Sequence, residues 1–268
     1  MPSLPINDMS MYYEEAGEGE PLVLLLGATG SVQLAEAAWG ALLPGLSRSY
    51  RTFHVEQRGH GRSTNPAGRL SYAQMASDAA AFIEALDLAP AHVAGMSDGG
   101  IVGLVLGMTR PELMRSLICV GANYRPEPSL LANIDQFSPE VFERESPAWV
   151  EKLVMAHDAY HYPGYWRELV LQLQAMFAVE PAYTEADLRT IPTPTLLIFG
   201  ELDHAATMEQ RLEMRRNIPR SEMLILNHAG MDIGGNHAVQ NARPEIVGPV
   251  MLEFLARYSD GSSARWPS

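Results

Sequence analysis

A chain of 268 residues, 47% hydrophobic and 19% charged, has the apolar content to bury a core, and its length suits one large α/β domain. Its 32 acidic against 19 basic side chains give a formal net charge of −13, which argues against sequence-independent nucleic-acid binding and a polybasic membrane contact. The single cysteine, Cys119, excludes an internal disulfide and a cysteine-cluster metal site.

The opening MPSLPINDMS shows no basic segment followed by an apolar stretch, and no apolar run reaches the roughly 20 residues that span a bilayer. A soluble, cytoplasmic protein is expected. The segment MSMYYEEAGEGEP reads as an antiparallel edge hairpin. Continuous apolar runs follow at Leu22–Leu26, Arg51–Val55, His92–Met96, Leu117–Val120, Leu196–Phe199 and Met223–Leu226, a pattern of strands buried on both faces. Helical patterns lie between most of them. In SYAQMASDAAAFIEALDL, Met75, Ala79, Phe82, Ile83 and Leu86 share one face, and Ser71 with Gln74 matches a capping box. This alternation predicts a mostly parallel sheet covered by helices.

From Arg125 to about Arg189 the rhythm breaks, and helical, proline-punctuated stretches such as PAWVEKLVMAHDAY and GYWRELVLQLQAMF replace strands. So much helix exceeds what a crossover needs. It predicts a cap inserted at about 125–190 over the C-terminal edge of the sheet, within a single domain spanning 1–268. Met96, and in the cap Trp149, Met155, Trp166 and Met176 with Phe177, are candidates for an adaptable apolar pocket wall. Helix packing alone explains the cap residues about as well.

Gly95-Met96-Ser97-Asp98-Gly99 is a G-x-S-x-G sequence between a predicted strand and the small-residue helix IVGLVLGM. A serine on a sharp strand-to-helix turn occupies a strained backbone conformation, so the flanking glycines relieve crowding. The turn lifts the hydroxyl clear of the sheet and aims the Asp98 N–H, at a helix N-terminus, toward a developing oxyanion. A serine hydroxyl needs a base, and the base needs a carboxylate to orient it. Asp203, just after the strand TLLIF, is the acid candidate, and Glu201 reads as a solvated neighbour.

With GMSDGG, the motifs GATGS, EQRGHGRS, FGELD and NHAVQNARPEIV fall in an order that resembles the α/β-hydrolase family over nearly the whole chain. The resemblance implies an eight-stranded, mostly parallel sheet flanked by helices, a helical cap, and a triad in the order serine, acid, histidine. It implies Asp203 as the acid. Most relatives carry the base in Ala-Gly-His, whereas here Ala229-Gly230 precedes Met231. The family's spacing from base to the proline of the last helix is met by His237 and Pro244, which favours His237 over His228. The resemblance also makes the Ala28 N–H the second oxyanion donor. The histidine that normally braces this turn is replaced by Leu26, with Thr29 and Ser31 hydroxyls as candidate substitutes. Of the other histidines, His54 and His92 read as structural, His60 as a brace near the site, and His157 and His161 as solvated or substrate-contacting. The ring of His204 is expected to point away from the site.

No zinc-type histidine spacing and no strand-following G-x-G-x-x-G are present, so neither a metal nor a dinucleotide or other cofactor is expected. The expected partner is a small-molecule substrate, with a homodimer as the candidate assembly. The reading is a serine hydrolase that cleaves a small or medium, largely apolar carboxylic ester through an acyl-enzyme on Ser97. A carbon–carbon bond hydrolase, a cofactor-free lyase or cyclase, an amidase or lactonase, and a weakly catalytic ligand receptor are the alternatives.

Overall fold

The computed structural model describes residues 3–37, 39–227 and 236–260. The N-terminal hairpin consists of β1 (Ser3–Ile6) and β2 (Met9–Ala16), and the buried apolar runs become β3 (Pro21–Leu25), β4 (Arg51–Val55), β5 (Ala91–Met96), β6 (Met114–Val120), β7 (Thr195–Gly200) and β8 (Ser221–Leu226). They form one eight-stranded sheet in the order β1-β2-β4-β3-β5-β6-β7-β8. The β1–β2 and β2–β4 pairs are antiparallel, and every pair beyond them is parallel.

Side chains alternate across the strands, so each strand feeds two cores. Val23 and Leu25 of β3 face one cluster, whereas Leu22, Leu24 and the adjoining Leu26 face the other. The helices α1 (Leu43–Leu46), α2 (Tyr72–Ala85) and α3 (Asp98–Thr109) come before β6. α2 and α3 cover the first face with Met75, Phe82, Ile101 and Val105, each side chain of this size contributing about 1.5–3 kcal/mol by its burial. At the start of α2 the Ser71 hydroxyl accepts the Gln74 N–H, but the Gln74 amide turns to Asp78, so only half of the capping box forms.

Between β6 and β7 run α4 (Pro128–Ala132), α5 (Pro139–Glu145), α6 (Pro147–His157), α7 (Tyr165–Phe177) and α8 (Glu185–Leu188). Leu153 and Ala156 of α6 and Trp166 and Val170 of α7 pack together around Leu34, which follows β3. The helical segment is thus anchored on the loop beyond β3. After β7 come α9 (Met208–Asn217), β8, α10 (Val239–Ala242) and α11 (Pro244–Arg257), whose Met251 and Phe254 cover the second face of the sheet.

The chain leaves β3 outward to β4, then recrosses to place β5 on the other side of β3. A crevice opens at the C-terminal ends of strands where the order reverses in this way, and Gly27 and Ser97 lie at those two ends.

Candidate active site

Ser97 links β5 to α3 with φ +52° and ψ −119°, a left-handed conformation that a serine rarely adopts. Neighbouring glycines make the turn possible. A Cβ at Gly95 would lie 2.1 Å from the Gly99 carbonyl oxygen, and one at Gly99 would lie 2.6 Å from the Leu25 carbonyl. The Ser97 N–H donates to the Val120 carbonyl at 2.8 Å, tying the strained residue to the next strand.

His237 bridges the serine and the acid. Its Nε2 is 2.9 Å from Ser97 Oγ and its Nδ1 is 2.9 Å from Asp203 Oδ1. Burial opposes a charged imidazole here, but the hydrogen bond and charge of Asp203, with the charge of Asp98 behind them, outweigh it and raise the His237 pKa. Burial likewise works to raise the Asp203 pKa. The His237 hydrogen bond and charge, the Ala205 N–H and Arg211 prevail and hold that carboxyl below its ordinary range. His228 lies outside the described residues.

Two supporting residues escaped the sequence reading. Arg211, buried on α9, donates Nε to the Ala206 carbonyl at 2.8 Å and Nη1 to the Gly200 carbonyl at 2.9 Å, and Nη2 to the carbonyl of Asp203. It therefore pins the backbone of the acid's loop. Gly121, at φ +61° just past β6, leaves the space in which the Asp203–His237 pair meets. An arginine among the exposed charges of MEQRLEMRRN carried no signal of burial.

Asp98 is buried beside the serine. Its Oδ1 accepts the Tyr72 hydroxyl at 2.9 Å, while Oδ2 has no protein partner among the described residues. Burial pushes its pKa up to about 7, against the pull of the Tyr72 hydrogen bond and the His237 charge. Its backbone N–H opens α3, where the first N–H groups have no partner within the helix.

The turn after β3 lies against Ser97, since a Cβ at Gly27 would approach Met96 Sδ to 2.7 Å and Ser97 Cβ to 3.2 Å. Among the described residues, no hydroxyl of this turn takes the place of the missing histidine brace. The Ser31 hydroxyl accepts the Leu34 N–H, and Thr29, at φ +56°, contributes its carbonyl to His157. Gln57 Oε1 accepts the Leu26 N–H at 2.7 Å, and the buried Glu56 carboxylate accepts the Val32 and Arg62 N–H groups at 2.9 and 2.6 Å. His157 is fully buried rather than solvated or facing the cavity. His60 is buried on the Arg58 carbonyl, and His92 bonds Ser116 and Glu20.

A cavity of about 420 Å³ opens onto Ser97, His237, Ala28 and Asp98. Met96 and Trp149 line it, with Phe137, Ile134 and Phe177 from the helical segment. Three expected wall residues do not. Met155 is 64% exposed on the outer face of α6, because Leu153 and Ala156 take the inner face. Trp166 is buried against α6 and Leu34, and Met176 packs into the first core cluster while the next residue, Phe177, turns to the cavity. His204, expected to point away, lines the cavity instead, its ring centroid 6.0 Å from that of His237. Tyr72, Asn123 and Glu180 add a polar side, and no lysine or arginine lines the cavity among the described residues.

A strand-end serine, a histidine that reaches it and a carboxylate behind that histidine, on a parallel sheet with its crevice at the strand reversal, define the class of protein as a hydrolase built on an α/β sheet. Residues 22–248 match the alpha/beta hydrolase family, and the chain belongs to it. Among curated proteins it is 29% identical over 267 residues to RutD of Stutzerimonas stutzeri (strain A1501), provisionally named a carbamate hydrolase, covering 92% of this chain and 97% of that one. It is 24% identical over 261 residues to the (E)-2-((N-methylformamido)methylene)succinate hydrolase of Acinetobacter baylyi, covering 93% and 95%. In structure it resembles the meta-cleavage product hydrolase of Pseudomonas fluorescens IP01, with a TM-score of 0.76, 20% identity, and 96% and 98% of the two chains covered. The enol-lactonase of Burkholderia xenovorans LB400 gives a TM-score of 0.71 at 20% identity, covering 95% and 100%. These last two likenesses concern the fold. No helix among the described residues is long and apolar enough to cross a membrane, and no group of possible metal ligands occurs among them.

Proposed function

We propose that the protein is a serine hydrolase that cleaves a small or medium, largely apolar carboxylic ester through an acyl-enzyme on Ser97. The observation that carries this reading is the pair of 2.9 Å contacts running from Ser97 Oγ through the His237 ring to Asp203. His237 takes the serine proton as Ser97 attacks the carbonyl carbon. Asp203 fixes the imidazole tautomer and stabilises the imidazolium that forms. The Ala28 and Asp98 N–H groups receive the oxyanion. His237 then protonates the leaving group and activates the water that releases the acid. In this reading the chain is one domain, and the segment at about 125–190 is the cap that closes the cavity.

An amide or carbamate substrate is the second reading. The names of the curated relatives support it, as does the polar side formed by Tyr72, Asp98, Asn123 and Glu180, which suits a substrate carrying N–H groups.

Labelling with a fluorophosphonate probe tests both. Rapid adduct formation at Ser97, lost in Ser97→Ala and in His237→Ala, is the expected result, and an unlabelled Ser97 in folded protein overturns the mechanism. Hydrolysis rates for matched phenyl esters, anilides and carbamates then separate the two substrate classes.

A further inference from the structure

The oxyanion turn after β3 is held by a residue of the helical segment. Thr29 sits in the left-handed region at φ +56°, where a β-branched side chain is strained; the turn's own bond from the Gly30 N–H to the Gly27 carbonyl, at 3.0 Å, closes it locally, and contacts from outside add to that hold. Its carbonyl lies 3.0 Å from Nε2 of His157, 128 residues further along the chain at the end of α6. Nδ1 of the same ring accepts the Gly61 N–H at 2.9 Å, which fixes the tautomer, so Nε2 carries the hydrogen and donates to Thr29. The Gly61 carbonyl in turn faces His161 Nε2 at 2.9 Å, and the Tyr165 hydroxyl donates to the Gly59 carbonyl at 2.9 Å. Both glycine loops at the sheet edge are therefore fastened to the helical segment. His157 joins them, completely buried.

Resting on the acyl-transfer reading above, we propose that His157 is a positioning residue of that reaction. By linking the Thr29 carbonyl to the Gly61 N–H it holds the Ala28 N–H, one residue away from Thr29, against the oxygen on which charge develops. The helical segment and the oxyanion turn then move as one body, and displacing α6 disassembles the oxyanion site without touching Ser97, His237 or Asp203. This arrangement takes over the task that Leu26 cannot perform.

The test pairs His157→Phe, which keeps a ring but loses both hydrogen bonds, with His157→Gln, whose amide can supply one donor and one acceptor. Both are assayed on a phenyl ester and with an alkyl boronate that forms a tetrahedral adduct on Ser97. In His157→Phe, kcat falls about 100-fold, as for a weakened oxyanion donor, while KM changes less than about threefold. Boronate affinity falls in step with kcat, and binding of the acid product is unchanged. His157→Gln recovers most of the lost kcat. A folded His157→Phe with wild-type kcat and boronate affinity overturns the proposal, as does a loss confined to KM. Should His157→Phe not fold, His157→Gln and His157→Asn decide: equal, wild-type kcat in both overturns it, and a loss graded with side-chain reach supports it. Failure of the underlying reading is seen separately, as wild-type protein that neither labels at Ser97 nor binds boronate.

Discussion

Gly121 and His237 approach so closely that no side chain fits between them. A Cβ on Gly121 would stand 2.8 Å from the His237 carbonyl oxygen and 3.0 Å from its Nδ1, and 3.1 Å from Asp203 Oδ2. Gly121→Ala should therefore spread the histidine and the acid, lowering kcat at least tenfold through misalignment. Its left-handed backbone adds a stability cost of about 1–2 kcal/mol. Steady-state kinetics beside urea unfolding check both, and a folded variant with unchanged kcat would contradict the assignment.

Activity should rise with pH through the His237 titration, since only the neutral ring can take the serine proton. Asp203 raises that pKa, so the acid limb lies above the ordinary histidine value of 6.5. Asp203→Asn should cost about 10⁴-fold in kcat, and move the limb to lower pH. The measurement is kcat/KM from pH 5 to 8 on an activated ester. A flat wild-type profile would sink the prediction.

The Asp98 carboxyl should contribute less to stability as pH rises. The folded state holds its carboxyl proton more tightly than the unfolded chain, with a pKa of about 7 against 3.8. Its contribution is therefore largest below the unfolded value, and declines as pH climbs through the interval to the folded one. Asp98→Asn removes this term. Buried His54, His60 and His92, held neutral by desolvation, work the other way over this interval, so the signed change is the test. Unfolding free energy at pH 8 minus that at pH 5 should be more positive in the variant than in the wild type, and an equal change in both would refute the assignment.

The helical segment offers a direct contrast between neighbours. Phe177→Ala should enlarge the cavity and favour bulkier acyl groups, while the adjacent Met176→Ala should cost about 2–5 kcal/mol of stability with little change in selectivity. Met155→Ala should change neither, staying within about 0.5 kcal/mol of the wild type. Acyl-chain profiles and thermal melts of the three variants provide the check. A selectivity change in Met155→Ala would return that residue to the pocket wall.

What the sequence made legible was local. Strand runs, the glycine pair around Ser97, and an aspartate directly after a strand each follow from a few adjacent residues. The position of His237 followed from its spacing to Pro244, and the structure brings that ring to both Ser97 and Asp203. What could not be read depends on how distant elements rotate against each other. Met176 and Phe177 are one residue apart on a helix, and nothing in their order says which faces the core. The same holds for Arg211, whose charge suggests solvent, and for His157, whose partners Thr29 and Gly61 lie far away in sequence.

The Ser97 N–H bonds the Val120 carbonyl on β6, the Gly121 N–H bonds Ile198 on β7, and the Glu201 N–H bonds Leu226 on β8. These rungs close the ladder at the active edge, so the spacing of serine and acid is inherited from two strand intervals, about 10 Å. An imidazole with a 2.9 Å hydrogen bond at each end covers most of such a gap, and the serine and aspartate side chains cover the rest. Strand spacing thus acts as the ruler for the Ser97–His237–Asp203 set, and deuterium uptake at the Ser97, Gly121 and Glu201 amides should await opening of the sheet itself. Divergence in the helices above can then reshape the chamber while this distance stays fixed.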